Sequence, residues 1–164
     1  MADEPTFSIR PATLDDIAVL AHHRCAMFRD MGRLHAASGA ELAAASERYF
    51  AAALPAGEYW AWLVAPAARP ATIVAGGGLQ LRQILPRPDA QGRLLAPGPQ
   101  GLVVNVYTEP DWRRRGLAEL VMHTIVAWSR EHGVASLVLH ASPLGRTLYE
   151  RLGWVASNEM FYPL

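Results

Sequence analysis

The sequence predicts a mixed α/β fold in which helices pack against one central sheet. Some segments place apolar residues at helical spacing, and others are short apolar runs typical of strands. The predicted order is strand, helix, helix, three strands, helix, strand, helix and terminal strand, which is not the regular alternation of doubly wound folds. The 164 residues, 51% of them hydrophobic, can form a core without disulfides or metal ions to stabilise it, so we expect one domain over residues 1–164.

The first half of the chain is predicted to hold two helices and two strands after the initial strand. Thr13 is a helix-capping residue, and the apolar residues after it keep helical spacing until Gly32. The glycines Gly76, Gly77 and Gly78 interrupt a strand-like run and indicate a bulge or a close backbone approach. The predicted bounds are a second helix over 41–53 and strands over 59–64 and 72–84.

The second half is predicted to continue with a long loop over 86–101, which is rich in proline and glycine. An apolar strand over 102–108 reads as buried on both faces, and the helix that follows carries one apolar stripe. Ser142 can cap the last helix, with Pro143 in its first turn. The remaining predicted bounds are a helix over 115–131, a strand over 136–140 and one or two strands in the tail over 154–162.

The turn between residues 108 and 117 carries the strongest functional signal. Three arginines and Gly116 stand at the start of a helix that follows an apolar strand. The first N–H groups of a helix lack intrahelical partners, and the helix dipole favours negative charge beside them. Glycine lets the backbone approach a bulky anion closely. The pattern therefore predicts a site that binds phosphate groups through the backbone.

Composition excludes several classes of function. The 15 basic residues, all arginines, balance 15 acidic ones, so we expect neither nucleic acid nor a membrane surface as partner. Without lysine, a Schiff base and a P-loop are impossible. The single cysteine, Cys25, and the scattered histidines indicate no disulfide and no metal site. No apolar run reaches the length of a membrane span, so we expect a cytoplasmic protein.

Three segments give the chain a family resemblance. Arg113-x-x-Gly116-x-Ala118 resembles the Q/R-x-x-G-x-G/A signature of the GNAT N-acetyltransferase superfamily. The segment 141–154 contains Leu-Tyr-x-x-Leu-Gly-Trp and is similar to the closing helix of that family, and Ile9-Arg10-Pro11-Ala12 is a common family opening. The resemblance implies a mostly antiparallel sheet that splays between the strands ending at Thr108 and His140.

The resemblance also implies acetyl-CoA as acyl donor, and no metal. The pyrophosphate would bind mainly to backbone amides of the segment formed by Arg113, Arg114, Arg115, Gly116, Leu117 and Ala118. The pantetheine arm would pair with the strand backbone at Val106, Tyr107 and Thr108. Ser142 stands where the family usually has an asparagine that touches this arm, and a simple helix cap is an equally good reading.

By the same resemblance, Tyr149 is the expected general acid. A phenol is matched in basicity to a departing thiolate and can protonate it, although Tyr149 could instead pack in the core or position the sulfur. A backbone N–H near Val106 or Tyr107 would polarise the acetyl carbonyl. The general base stays open between Glu109, His140, His35 and Glu58, with His140 as a weak choice and proton loss through ordered water preferred.

The acceptor is expected to be a primary amine of a small molecule or of a protein N-terminus, bound opposite the donor. Phe28 and Met31 on the first helix, and Asn105 on the strand face that also carries Tyr107, are candidate contacts. Charged residues near 29–33 could meet a charged substrate or simply face solvent. A homodimer, common in the family, is a further expectation.

Two other functions compete with this reading. A domain that binds acetyl-CoA or CoA without turnover would explain why no residue is an obvious base. A Rossmann dinucleotide enzyme is disfavoured, because Gly76 to Gly78 lie inside a strand-like run instead of opening a helix.

Overall fold

The computed structural model describes residues 6–89, 91–94, 97–157 and 159–160, and these form one five-stranded sheet with helices against it. The strand order is β1-β2-β3-β4-β5, antiparallel throughout except for the parallel pair β4–β5. The strands are β1 Phe7–Pro11, β2 Tyr59–Pro66, β3 Ala75–Arg82, β4 Gln100–Thr108 and β5 Ser136–Leu139. The helices are α1 Ile17–Asp30, α2 Gly39–Ala53, α3 Leu117–Glu131 and α4 Arg146–Arg151. The predicted mixed, mostly antiparallel sheet is confirmed.

Both faces of the sheet are covered. Alternation along β2 sends Trp62 and Val64 into a core with α3, and sends Tyr59 and Leu63 into a second core with α1 and α2. The strand β4 was predicted to be buried on both faces, but from Gly101 to Thr108 it alternates between buried and half-buried positions, so one face is only partly covered. Helices α1 and α2 therefore lie on one side of the sheet and α3 on the other.

The predicted splay lies in the second half of β4. Pairing between β4 and β5 runs from Gln100 with Ser136 to Val103 with Leu139 and goes no further. β5 ends at Leu139, so residues 104–108 of β4 have no strand partner on this side within the described residues. An unpaired strand edge of this kind is where an extended ligand can run alongside the sheet.

A β-bulge in the same half of β4 is the second departure from regularity. Gly76 pairs with Tyr107 and Gly78 with Val104, so Asn105 and Val106 together face the single residue Gly77. Asn105 takes a left-handed backbone conformation with φ 56°. The predicted bulge at the glycine run is confirmed, and it places Asn105 on the face that packs against α1.

The glycine run also allows the predicted close approach. A Cβ on Gly77 would lie 2.6 Å from Cγ1 of Val121 in α3. A Cβ on Gly78 would lie 1.9 Å from the Tyr59 hydroxyl oxygen on the opposite face. Side chains from both cores therefore touch the backbone of β3 directly, which no residue larger than glycine would permit.

Two predicted segments differ from the structure. The last helix begins at Arg146 instead of beside Ser142, because residues 143–145 first form a turn in which Gly145 donates its N–H to Ser142 Oγ (3.2 Å). The predicted tail strands are wrong for residues 154–157 and 159–160, which form no strand. The Trp154 N–H is donated to the Tyr149 carbonyl, so this end of the tail closes α4. Residue 158 and residues 161–162 lie outside the described residues.

An ion pair fastens β1 to the start of α1. Arg10 donates from Nη1 and Nη2 to the two carboxylate oxygens of Asp16, each at 2.8 Å, and the Thr13 N–H donates to the same carboxylate. The hydrogen bonds from Arg10 lower the pKa of Asp16 to about 2.

This depressed pKa predicts an acid-labile contribution to stability. A carboxyl with a pKa below its unfolded value stabilises the fold above that unfolded value and loses the contribution as pH falls from about 4 to about 2. We expect Asp16→Asn to lower the free energy of unfolding by about 2 kcal/mol at pH 7 and by much less at pH 2. Urea unfolding at both pH values measures this, with Asp15→Asn, an exposed neighbour, as control. An equal loss at the two pH values would contradict the assignment.

Candidate active site

The segment before α3 presents unpaired backbone donors. Arg114 and Gly116 take left-handed conformations, with φ 65° and 75°, and α3 begins at Leu117. In the part of the chain that the structure describes, the N–H groups of residues 114–118 make no hydrogen bond. Nothing lies within 4 Å of where a Gly116 Cβ would stand, so the backbone there is open to a ligand. Open backbone donors of this kind can bind an anion such as the pyrophosphate that the sequence leads us to expect here.

Two of the neighbouring arginine side chains brace the loop. Arg113 donates from Nε to the Thr108 carbonyl (3.1 Å) and from Nη2 to the Asp30 carboxylate, which ties the loop to the end of α1. The Arg115 guanidinium lies 5.0 Å from the Trp112 ring centroid. The backbone amides are therefore the freer donors, which is consistent with the prediction that Gly116 matters more than the side chains.

Tyr149 stands on α4 and packs into the α3-side core. Its ring is half-buried and meets Trp154 edge-on, with centroids 6.4 Å apart. Its hydroxyl makes no hydrogen bond within the described residues, and burial raises its pKa. The phenol is thus protonated at neutral pH and has a proton to give.

Asn105 connects the bulge to α1 and the opposite core. Its side-chain amide donates to the Tyr59 hydroxyl (3.1 Å), and its carbonyl oxygen accepts from Arg24 Nη1 (2.7 Å). Tyr107 faces the same side, with its ring centroid 5.2 Å from that of His23. Both polar atoms of the Asn105 side chain are therefore hydrogen-bonded, and Arg24 is its partner on α1.

A cavity of about 430 Å³ lies between α1 and α2. Phe28, predicted as an acceptor contact, lines it, whereas Met31, the other predicted contact in this region, does not. Sequence reasoning missed Arg24, which lies one helical turn before Phe28 and so shares its face. The lining residues are Arg24, Phe28, Arg33, Leu34, Ser38, Glu41, Leu42 and Ala45.

The candidate bases are spread over the molecule. His140, at the end of β5, is exposed and lies 2.8 Å from Glu159 through Nε2. His35 and Glu58 are exposed and do not line the cavity. Glu109 follows β4 and holds His22 Nε2 at 2.9 Å.

A buried histidine beside Glu109 was not predicted. His23 is 2% exposed, and burial lowers its pKa to about 4, so it is neutral near pH 7. Its Nε2 lies 3.7 Å from Glu109 and has no hydrogen-bond partner among the described residues. The signal in the sequence that could have indicated its burial is its position among apolar residues on the inner side of α1.

Two other kinds of site are absent among the described residues. No group of three or more His, Cys, Asp or Glu side chains there could hold a metal ion. No helix in that part of the chain is long and apolar enough to cross a membrane.

Comparisons with known proteins give consistent results. A family model described as an acetyltransferase (GNAT) domain matches residues 98–163. A GCN5-related N-acetyltransferase from Ralstonia eutropha JMP134 is 30% identical, with a TM-score of 0.83 over 97% of this chain and 99% of that one. A predicted acetyltransferase from Clostridium acetobutylicum, solved with acetyl-CoA, is 24% identical, with a TM-score of 0.78 over 97% and 96% of the two chains. An aminoglycoside N-acetyltransferase in complex with CoA shares the fold at 11% identity, with a TM-score of 0.68 over 100% and 97%. No curated protein sequence matches the chain.

Proposed function

The chain belongs to the GNAT family of acetyltransferases, and from this premise we propose that it transfers an acetyl group from acetyl-CoA to a primary amine. The observation that carries the proposal is the row of unpaired N–H groups over residues 114–118, in the segment between β4 and α3. These donors suit the pyrophosphate, and the free edge of β4 at Val106, Tyr107 and Thr108 suits the amides of the pantetheine arm. Ser142 lies near the start of α4, where it could meet that arm.

In the proposed reaction the amine attacks directly within a ternary complex. The amine nitrogen forms a bond to the acetyl carbon while the carbon–sulfur bond breaks, and the amine gives up a proton to water or to a base such as His140. The backbone N–H of Val106 donates to the carbonyl oxygen as it becomes negative. Tyr149 gives its hydroxyl proton to the departing thiolate, for which its unpaired hydroxyl is available.

Acetyl-CoA is expected to raise the melting temperature of the protein, because a ligand that binds only the folded state stabilises it. At about one hundred times the dissociation constant the rise is about 5–10 °C. We expect the rise to vanish in Gly116→Glu, whose side chain and charge enter the phosphate site. Differential scanning fluorimetry measures both proteins.

Gly133→Glu is the matched control for this experiment. Gly133 has a φ of 67° and open space around it, like Gly116, but it follows the other end of α3. Both variants carry the same backbone strain, so only loss of the ligand-induced rise at Gly116 reports on the site. No rise in the wild type at saturating acetyl-CoA would defeat the proposal.

A second candidate function is an acetyl-CoA or CoA sensor without turnover. It is favoured by one observation: within the described residues, none of the base candidates lines the cavity between α1 and α2. This candidate predicts acetyl-CoA binding that is unchanged in Tyr149→Phe, together with no thiol release for any amine. Detection of free thiol with a panel of amines separates the two functions.

A further inference from the structure

The cavity between α1 and α2 is built around two arginines on one aromatic ring. The guanidinium carbons of Arg24 and Arg33 lie 4.9 and 5.5 Å from the ring centroid of Phe28. Such contacts fix where the two cations stand. Leu34, Leu42 and Ala45 add apolar surface to the lining of the cavity.

The cavity has an excess of positive charge that the chain itself leaves uncompensated. Within the described residues neither Arg24 nor Arg33 forms an ion pair, although Glu41 also lines the cavity. The two arginines and Glu41 sum to a net charge of +1. A guanidinium presents more N–H donors than the single bond from Arg24 to Asn105 uses. An anion placed between the two arginines would satisfy these donors and relieve their mutual repulsion.

We infer that the acceptor is a small primary amine that carries its own anionic group, a carboxylate or a phosphate, and that Arg24 and Arg33 bind that group. The inference rests on the proposed function and adds the substrate class. An arginine fork binds planar carboxylate or phosphate oxygens in a way that lysine does not, which suits this all-arginine chain. A polycationic amine would meet two like charges and is disfavoured.

The position of Arg24 sets the distance between the anion and the amine. Its Nη1 lies 2.7 Å from Asn105 Oδ1, and Val106 is the next residue of the bulged strand. An anion on Arg24 is therefore close to the backbone proposed to hold the acetyl carbonyl, so only a few bonds separate it from the amine. In the transfer the amine nitrogen bonds to the acetyl carbon, the sulfur leaves with a proton, and the anionic group stays unchanged.

The test uses acceptor pairs that differ in the anionic group. L-amino acids are compared with their C-terminal amides, and ethanolamine phosphate with ethanolamine, as acceptors in the acetyl-CoA assay. Binding of the same compounds to the CoA-saturated protein is measured by calorimetry. We expect the anionic member of at least one pair to be preferred in kcat/KM and in Kd. The preference should fall about tenfold in Arg33→Gln, because one charge-assisted contact to a partly exposed anion is lost.

Arg29→Gln is the matched control, since Arg29 is exposed on α1 and does not line the cavity. Each acceptor pair gives a ratio of two kcat/KM values. Comparing this ratio between variant and wild type removes the intrinsic reactivity of the two amines. Equal use of both members, or a preference unchanged in Arg33→Gln, would overturn the inference while leaving acetyl transfer intact. No binding by any anionic amine would overturn it as well. Failure of acetyl-CoA to raise the melting temperature would be a failure of the proposed function instead. The amino-acid and phosphate pairs separate the two kinds of anion.

Discussion

Tyr149→Phe is expected to lower kcat about a hundredfold or more while leaving acetyl-CoA binding nearly unchanged. General acid catalysis by a positioned side chain contributes about 10²–10⁴ in rate. The substitution removes only the hydroxyl, which makes no hydrogen bond within the described residues, so the packing of the ring against Trp154 is kept. Steady-state thiol release and ligand-induced melting shifts on the same samples give the two quantities.

A second tyrosine provides the control for this prediction. Tyr49, on α2, donates no proton to the proposed reaction, and its hydroxyl accepts a hydrogen bond from Gln80 (3.0 Å) at the surface. Tyr49→Phe should leave kcat unchanged. If Tyr149→Phe retained full activity, Tyr149 would be a packing residue and the thiolate would take its proton from water. If it lost acetyl-CoA binding as well, its role would be to position the donor.

Local signals in the sequence were sufficient for several elements that build the proposed donor site. The helix after β4 was predicted to start at residue 115 and starts at Leu117, because the end of the apolar strand and Gly116 mark this boundary locally. The bulge follows from the run Gly76 to Gly78, because only glycine tolerates such close packing from both faces.

Contacts between distant residues were beyond the reach of the sequence. Asn105 lies 46 residues from Tyr59 and 81 from Arg24, yet it hydrogen-bonds both. The bulge turns Asn105 toward α1, and no local pattern encodes how far a bulge rotates a side chain. The same holds for the cavity between α1 and α2: Phe28 lines it and Met31 does not, which depends on how α1 packs against α2.

The start of the last helix was predicted wrongly because the prediction relied on the preference of single residues for helix starts. Ser142 and Pro143 have the chemistry of a helix start, and Ser142 does accept the Gly145 N–H, but the chain makes a turn before α4. A Cβ on Gly145 would lie 2.9 Å from Cε2 of Tyr149, so the Tyr149 ring packs directly on this turn. The turn thus belongs to the setting of the proposed acid, and packing outweighs the capping preference there.

Gly78→Ala is expected to be the most damaging small substitution in the described core. The new Cβ would stand 1.9 Å from the Tyr59 hydroxyl oxygen and 2.3 Å from Cζ, and the Tyr59 ring is 1% exposed. The ring must move, which breaks its bond with Asn105 and loosens the bulge. We expect the free energy of unfolding to fall by about 3 kcal/mol, the upper part of the range for overpacking. Urea unfolding at pH 7 measures the loss.

Two further variants serve as a control and a partial rescue for this prediction. Gly39→Ala, at the start of α2 with nothing within 4 Å, should be neutral or slightly stabilising. Adding Tyr59→Phe to Gly78→Ala removes the nearest clashing atom but leaves Cζ in place, so stability should recover only in part. A Gly78→Ala protein as stable as the wild type would mean that β3 and Tyr59 do not pack this closely.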